Sequence, residues 1–147
     1  MGGQAKGEPM TTAARLALTA ALVAAPGWAL AWWAWNRHEV VPVSDSVFEV
    51  IGEVGSGAQN YWCGAGDYAI RVLGVGPARR IYTWRGLGPS VTRPGRKAMQ
   101  FALAPPDGAD TSTPLSLSLH RVGDNLNASM AQNYCYEQPG SWDRWRY

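Results

Sequence analysis

An uncharged apolar run near the N-terminus limits how much of this 147-residue chain can fold as a soluble domain. Residues 16–35 carry no charged side chain, and Lys6 and Arg15 precede them. A basic lead, an apolar stretch and a small-residue cleavage site are typical of a secretory signal peptide. An Ala-Leu-Ala sequence at the end of residues 1–31 forms such a site. Cleavage after it leaves residues 32–147 as one exported domain.

The same run is long enough to span a bilayer if it is not cut after Ala31. Residues 16–35 would then be a transmembrane anchor. Tryptophan gathers at membrane interfaces, which favours this alternative, and the run contains Trp28, Trp32, Trp33 and Trp35. A leader that starts at Met10 instead of Met1 also contains every part of a signal peptide. The domain is therefore expected to be periplasmic or secreted, or membrane-anchored on the periplasmic side.

The cysteine content agrees with export. The chain has two cysteines, Cys63 and Cys135. An even number of cysteines in an exported chain favours a disulfide over free thiols, because the compartment is oxidising. No Cys-x-x-Cys is present, which excludes thioredoxin-like and c-type haem motifs. We expect one disulfide, which would hold the C-terminal tail against the first helix.

Hydrophobic periodicity predicts an α+β domain. Residues 47–54 alternate as in a half-buried strand, with Glu49 and Glu53 on the polar face. Residues 60–73 repeat apolar side chains at helical spacing. Alternating or β-branched stretches predict three further strands, at 80–85, 98–103 and 115–119. The tail 126–136 is ambiguous and includes a possible short helix. The order β-α-β-β-β predicts a small antiparallel sheet with one helix packed on it.

Positive charge is concentrated in one stretch although the net charge is only +2. No acidic residue lies between Asp67 and Asp107. Arginines on the glycine-bearing loop 86–97 are suited to bind phosphate or carboxylate through paired hydrogen bonds. The candidate ligand-binding residues are Arg85, Arg93, Arg96, Lys97 and His120. The alternative is a solvated positive face, balanced by Glu39, Asp45, Glu49 and Glu53.

Other sites of chemistry are not indicated by the sequence. The glycine pairs at 74–76 and 86–88 lack the remainder of a nucleotide fingerprint. No Gly-x-Ser-x-Gly elbow and no His-x-x-x-His is present. We therefore predict no catalytic residue, no metal ligand and no cofactor. The low net charge also argues against a nucleic-acid partner.

Aromatic residues flank both cysteines, in Tyr61-Trp62-Cys63 and Tyr134-Cys135-Tyr136. They predict a core cluster around the disulfide, or alternatively a groove for an apolar or sugar ligand. The C-terminal residues Trp142, Trp145 and Tyr147 are interleaved with arginines. This pattern suits a contact with a partner or with a membrane interface, or a tail packed on the domain.

Three short motifs carry a resemblance: Asn36-Arg37-His38-Glu39, Tyr61-Trp62-Cys63 and Gly86-Leu87-Gly88-Pro89-Ser90. Together the chain resembles small uncharacterised exported proteins of alphaproteobacterial type. The resemblance covers most of the chain after the leader and implies export and a disulfide, but no function.

Two functional hypotheses follow. The first is a periplasmic binding or accessory module that contacts a protein or an anionic envelope partner through the basic loop 86–97. The alternative is a small envelope-acting enzyme or enzyme inhibitor, with His120 or the arginines at its centre. The ligand, the reaction and the oligomeric state are not indicated.

Overall fold

Within the part of the chain that the structure describes, three strands precede the longer helix and three follow it. The computed structural model describes residues 2–3, 30–113 and 115–137. The strands and helices are β1 (Trp32–Trp33), β2 (Glu39–Pro42), β3 (Val47–Ile51), α1 (Ala58–Arg71), β4 (Arg80–Pro89), β5 (Lys97–Ala102), β6 (Asn125–Asn127) and α2 (Ala128–Asn133).

The strands form one antiparallel sheet in the order β1-β2-β3-β5-β4-β6. The predicted α+β class is therefore confirmed. In the centre of the sheet Phe48 pairs with Phe101 and Val50 with Met99. These four side chains are buried and face α1 as part of the main core. The opposite face carries a smaller apolar cluster of Val41, Ile51 and Ala98.

Helix α1 forms where the helical spacing predicted it, two residues nearer the N-terminus. Trp62 is fully buried and its ring lies 4.9 Å from that of Phe101. Tyr61 and Trp62 therefore belong to the core and Tyr134 packs against it, whereas Tyr136 is exposed. A Cβ on Gly64 would lie 2.7 Å from a methyl of Val50, and glycine therefore allows the helix to approach the sheet closely. Beyond the helix, Gly74 has a φ of 66°, a left-handed conformation that glycine adopts readily at the end of a helix.

Helix α2 covers the outer side of α1. A Cβ on Gly66 would lie 2.3 Å from the backbone nitrogen of Gln132, so the two helices are in direct backbone contact. The disulfide between Cys63 and Cys135 closes the same contact, as predicted. Asn127 caps α2 by accepting a hydrogen bond from the amide of the third helical residue. Sheet, α1 and α2 thus form three layers, and residues 61–69 of α1 are all buried.

The strand predicted at 115–119 is wrong. The hydroxyl oxygen of Ser118 accepts hydrogen bonds from the amides of His120, at 3.0 Å, and Arg121, at 3.2 Å. Such a side-chain turn competes with a strand ladder. Leu117 and Leu119 are partly buried against the core without belonging to the sheet. The last strand of the sheet is β6, in the tail whose structure the sequence left ambiguous.

The sequence analysis predicted no strand at β1 or β2, although it allowed the exported domain to begin at residue 32. Trp32 packs on Tyr68 with 5.8 Å between ring centroids, and Ala34 is 4% exposed. These residues pack in the folded domain. The alternative anchor over 16–35 falls mostly on residues outside the described part and stays a prediction. The signal-peptide prediction itself falls mostly on residues outside the described part. No helix within residues 2–3, 30–113 and 115–137 is long and apolar enough to cross a membrane.

Candidate functional site

The predicted basic loop is shorter than expected because β4 and β5 extend into it. Its remaining connection, residues 90–96, contains two arginines that have acidic partners. Arg93 donates to Glu39, with Nε 3.0 Å from each carboxylate oxygen. Arg96 Nη2 lies 2.7 Å from Glu53 Oε1. Much of the positive charge in the connection is therefore neutralised within the domain.

A buried carboxylate holds this connection against the sheet. Glu49 was expected on the polar face of its strand, but it is fully buried. It accepts hydrogen bonds from the hydroxyls of Ser90 and Thr92 and from the amides of Val91, at 3.2 Å, and Thr92, at 2.9 Å. Burial alone would raise the pKa of Glu49, but these hydrogen bonds outweigh burial and hold the pKa below its ordinary value of 4.5. The basic connection thus folds over the sheet face that lies away from α1.

Arg85 is a predicted ligand residue that lies within strand β4 of the sheet. Its cross-strand partner is Gln100, and the ladder is irregular on both sides of it. Its Nη2 donates to the carbonyl oxygen of Pro89 at 2.5 Å. Its Nε is buried and has no acceptor among the described residues. No carboxylate in the described part of the chain forms an ion pair with Arg85.

The remaining cations do not gather on one face. Lys97 begins β5, is exposed, and forms no ion pair in the part that the structure describes. Arg79 and Arg80 lie at the opposite end of β4 from Pro89, and Arg71 ends α1. The basic residues that lie between Asp67 and Asp107 in the sequence are therefore found in separate parts of the fold.

His120 lies beside the irregular part of β4. A Cβ on Gly86 would come within 2.8 Å of the His120 backbone, so glycine permits this contact, one residue from Arg85. The adjacent amide of Leu87 donates to the carbonyl oxygen of Leu119 at 2.7 Å. The imidazole of His120 is on an exposed residue and makes no hydrogen bond among the described residues.

The structure reveals an imidazole–hydroxyl pair that the sequence interpretation missed. His38 Nε2 lies 2.7 Å from Ser56 Oγ, and His38 Nδ1 lies 3.3 Å from the carbonyl oxygen of Asn36. His38 is 5% exposed, and burial lowers its pKa below the ordinary 6.5. The ring is therefore neutral at pH 7, with Nδ1–H directed to the carbonyl and Nε2 accepting from the hydroxyl. Nothing in the sequence pairs Ser56 with His38, 18 positions away.

A second missed feature is an exposed aromatic cluster beside α1. The rings of Trp35 and Tyr136 lie 5.7 Å apart, and the guanidinium of Arg71 lies 5.9 Å from the Trp35 ring. The tryptophans near the leader were a signal for this cluster, but their contact with Tyr136 depends on the tertiary fold. We call Trp35, Tyr136 and Arg71 the aromatic edge.

The described residues contain no group of three or more His, Cys, Asp or Glu side chains arranged to hold a metal ion. Comparison of the chain with protein-family models, with curated proteins and with solved structures finds no match. The resemblance to exported alphaproteobacterial proteins therefore stays a prediction. The disulfide is the feature that bears on compartment, and it indicates an oxidising, extracytoplasmic location.

Proposed function

We propose that this chain is a periplasmic or secreted binding module that holds an anionic partner at Arg85, on the sheet face away from α1. The disulfide supports the compartment, because such bonds persist where thiols are not kept reduced. The low net charge supports a local site over binding through a general positive field.

The observation that carries the proposal is the state of the Arg85 guanidinium. A buried charged donor without an acceptor is costly, so natural proteins pair nearly all such groups. Arg85 has one carbonyl acceptor for Nη2, no carboxylate, and a buried Nε without an acceptor among the described residues. A carboxylate or phosphate group from a partner would supply the missing negative charge and paired acceptors.

The paired arginines take a different role in this proposal. Arg93 and Arg96 bind Glu39 and Glu53 and so fix the connection 90–96. A fixed connection leaves less motion to be lost when a partner binds near Arg85. Of the five predicted ligand residues, Arg85 is the primary contact and Lys97 and His120 are peripheral.

The test compares two arginines of one strand. Arg85→Gln removes the proposed contact, and Arg80→Gln removes the same charge from an exposed position on β4. The probe is immobilised heparin, a polyanion with sulfate and carboxylate groups. We expect Arg85→Gln to elute at clearly lower salt than Arg80→Gln, which should elute close to the wild type.

Elution of both variants at the same salt concentration would show that Arg85 contributes only its general charge, and the proposal would fail. Arg85→Lys guards against a folding artefact, because it keeps the charge and loses the planar fork. It should elute between the wild type and Arg85→Gln. Circular dichroism of each variant confirms that the fold is retained.

A second candidate function, hydrolysis of an envelope ester or amide, is favoured by the pair of His38 and Ser56. A neutral imidazole that accepts a hydrogen bond from a serine hydroxyl is the arrangement that activates a nucleophile. The carbonyl of Asn36 would hold the required tautomer. A groove of about 470 Å³ begins at the next residue, Gly57, and extends to Tyr134.

A fluorophosphonate probe, which labels activated serines, tests this candidate. Labelling of the wild type that is lost in both Ser56→Ala and His38→Gln would support it. Absence of labelling in the wild type would remove it, because a merely structural hydrogen bond does not activate the hydroxyl. Labelling that persists in Ser56→Ala would also count against this assignment.

A further inference from the structure

The aromatic edge is exposed although its members contact one another. Trp35 is 53% exposed, Tyr136 is 40% exposed, and the side chain of Arg71 is 49% exposed. Large apolar side chains exposed as a group mark contact surfaces more often than isolated ones do. Two further exposed apolar residues, Leu30 and Trp33, lie in the same part of the chain at 86% and 61% exposure.

A buried carboxylate fixes the geometry of this edge. Asp67 is 1% exposed and accepts a hydrogen bond from the backbone amide of Trp35 at 2.8 Å. Its other oxygen lies 3.0 Å from Arg71 Nε and 3.0 Å from Gln132 Nε2. The two terminal nitrogens of Arg71 make no hydrogen bond or ion pair among the described residues, and the guanidinium lies against the Trp35 ring. The edge is therefore held by the fold, with an indole ring and part of a guanidinium left available.

Both ends of the described domain lead to this edge. The described part of the domain runs from Leu30, close in sequence to Trp35, to Glu137, directly after Tyr136. The sequence before it is the uncharged apolar run, and the sequence after it includes Trp142, Trp145, Tyr147, Arg144 and Arg146. Residues with the same chemistry as the edge therefore flank the domain on both sides.

We propose that the aromatic edge docks on the surface of a lipid bilayer. Tryptophan and tyrosine prefer the interface because their rings are apolar while the N–H or O–H group remains hydrated. An arginine beside them keeps its charge near lipid phosphates while its stem lies along apolar surface. The inference is independent of the Arg85 site, because Arg85 lies on the sheet face away from the helices.

The experiment uses the full chain as isolated from the envelope fraction of its host, mixed with vesicles of phosphatidylethanolamine and phosphatidylglycerol at about three to one. Part of the lipid carries bromine on its acyl chains, which quenches the fluorescence of tryptophans in contact. The difference between wild type and Trp35→Phe isolates the emission of Trp35. Trp84→Phe is the matched control, because Trp84 is 38% exposed on β4, away from the edge.

We expect brominated lipid to quench the Trp35 contribution by at least twofold and the Trp84 contribution hardly at all. Quenching of neither residue, or of both equally, would overturn the proposal. A C-terminal tail that covers the edge gives the first of these results. Phenylalanine at position 35 keeps an aromatic ring beside Tyr136. Arg71→Gln provides a second readout, because it should weaken retention on these anionic vesicles more than it weakens retention on uncharged ones.

Discussion

Replacement of Glu49 by glutamine tests whether the buried carboxylate fixes the basic connection to the sheet. The substitution keeps the shape of the side chain and removes its charge. One carboxylate oxygen, Oε1, accepts from the hydroxyls of Ser90 and Thr92 and from the Thr92 amide. The other, Oε2, accepts from the Val91 amide at 3.2 Å and lies 3.5 Å from Gln100 Nε2.

The structure sets the size of the effect. A hydrogen bond to a charged group contributes about 1 kcal/mol more than a neutral one, so the three bonds at Oε1 lose about 3 kcal/mol. In glutamine, the side-chain NH2 would take the place of Oε2 and face the Val91 N–H, so two donors would meet without an acceptor. An unsatisfied buried donor costs about 1–3 kcal/mol. The neutral amide is easier to bury, which offsets part of this loss. We expect a net destabilisation of about 3 kcal/mol, or about 10–20 °C in Tm.

Urea and thermal unfolding followed by circular dichroism measure this change. Glu53→Gln is the control, because Glu53 is in an ion pair whose carboxylate side chain is 55% exposed, and such pairs contribute under about 1 kcal/mol. The lowered pKa of Glu49 sets the pH dependence. Its stabilisation is present above pH 4.5 and is lost as the pH falls through the lower folded pKa. A Glu49→Gln protein within about 0.5 kcal/mol of the wild type would refute this account of the hydrogen bonds.

Three further predictions concern the disulfide, the helix contact and the buried histidine. Replacing both Cys63 and Cys135 by alanine should cost about 4 kcal/mol in urea unfolding, because the 72-residue separation no longer restricts the unfolded chain. An unchanged midpoint would contradict this. Gly66→Ala should cost over about 2 kcal/mol by forcing α1 and α2 apart, whereas Gly76→Ala, whose Cβ meets nothing within 4 Å, should stay within about 1 kcal/mol. The wild type should lose stability as the pH falls from 6.5 towards the lower folded pKa of His38, because the unfolded imidazole binds a proton first. His38→Gln should flatten this slope, and an equal slope in both proteins would assign the pH dependence to other groups.

Some features of the candidate sites were accessible from the sequence and others were not. Arg85 was identified because basic residues cluster between Asp67 and Asp107. The sequence could not show that Arg93 and Arg96 are paired within the domain. Their partners lie on other segments, 54 and 43 positions away. The pair of His38 and Ser56 was missed for the same reason, since the turn that joins them is formed by folding.

The sequence by itself determined several of the local elements and the disulfide. Apolar spacing identified α1 and the strands β3, β4 and β5, because that spacing reflects which side of each element is buried. Composition and export identified the bond between Cys63 and Cys135. The apolar run also indicated a domain beginning near residue 32, where β1 starts.

Only the tertiary structure decided how these elements share their surfaces. Glu49 has the pattern of an exposed strand residue and is buried because a distant connection supplies its hydrogen-bond donors. Residues 115–119 have the pattern of a strand, but a serine-based turn ends the segment and β6 pairs with β4 instead. The sequence suggested a role for Trp35 only in the anchor alternative, whereas the fold brings Asp67 and Tyr136 to it. For Glu49 and Trp35 a residue far along the chain determines the environment, and local periodicity contains no information about that residue.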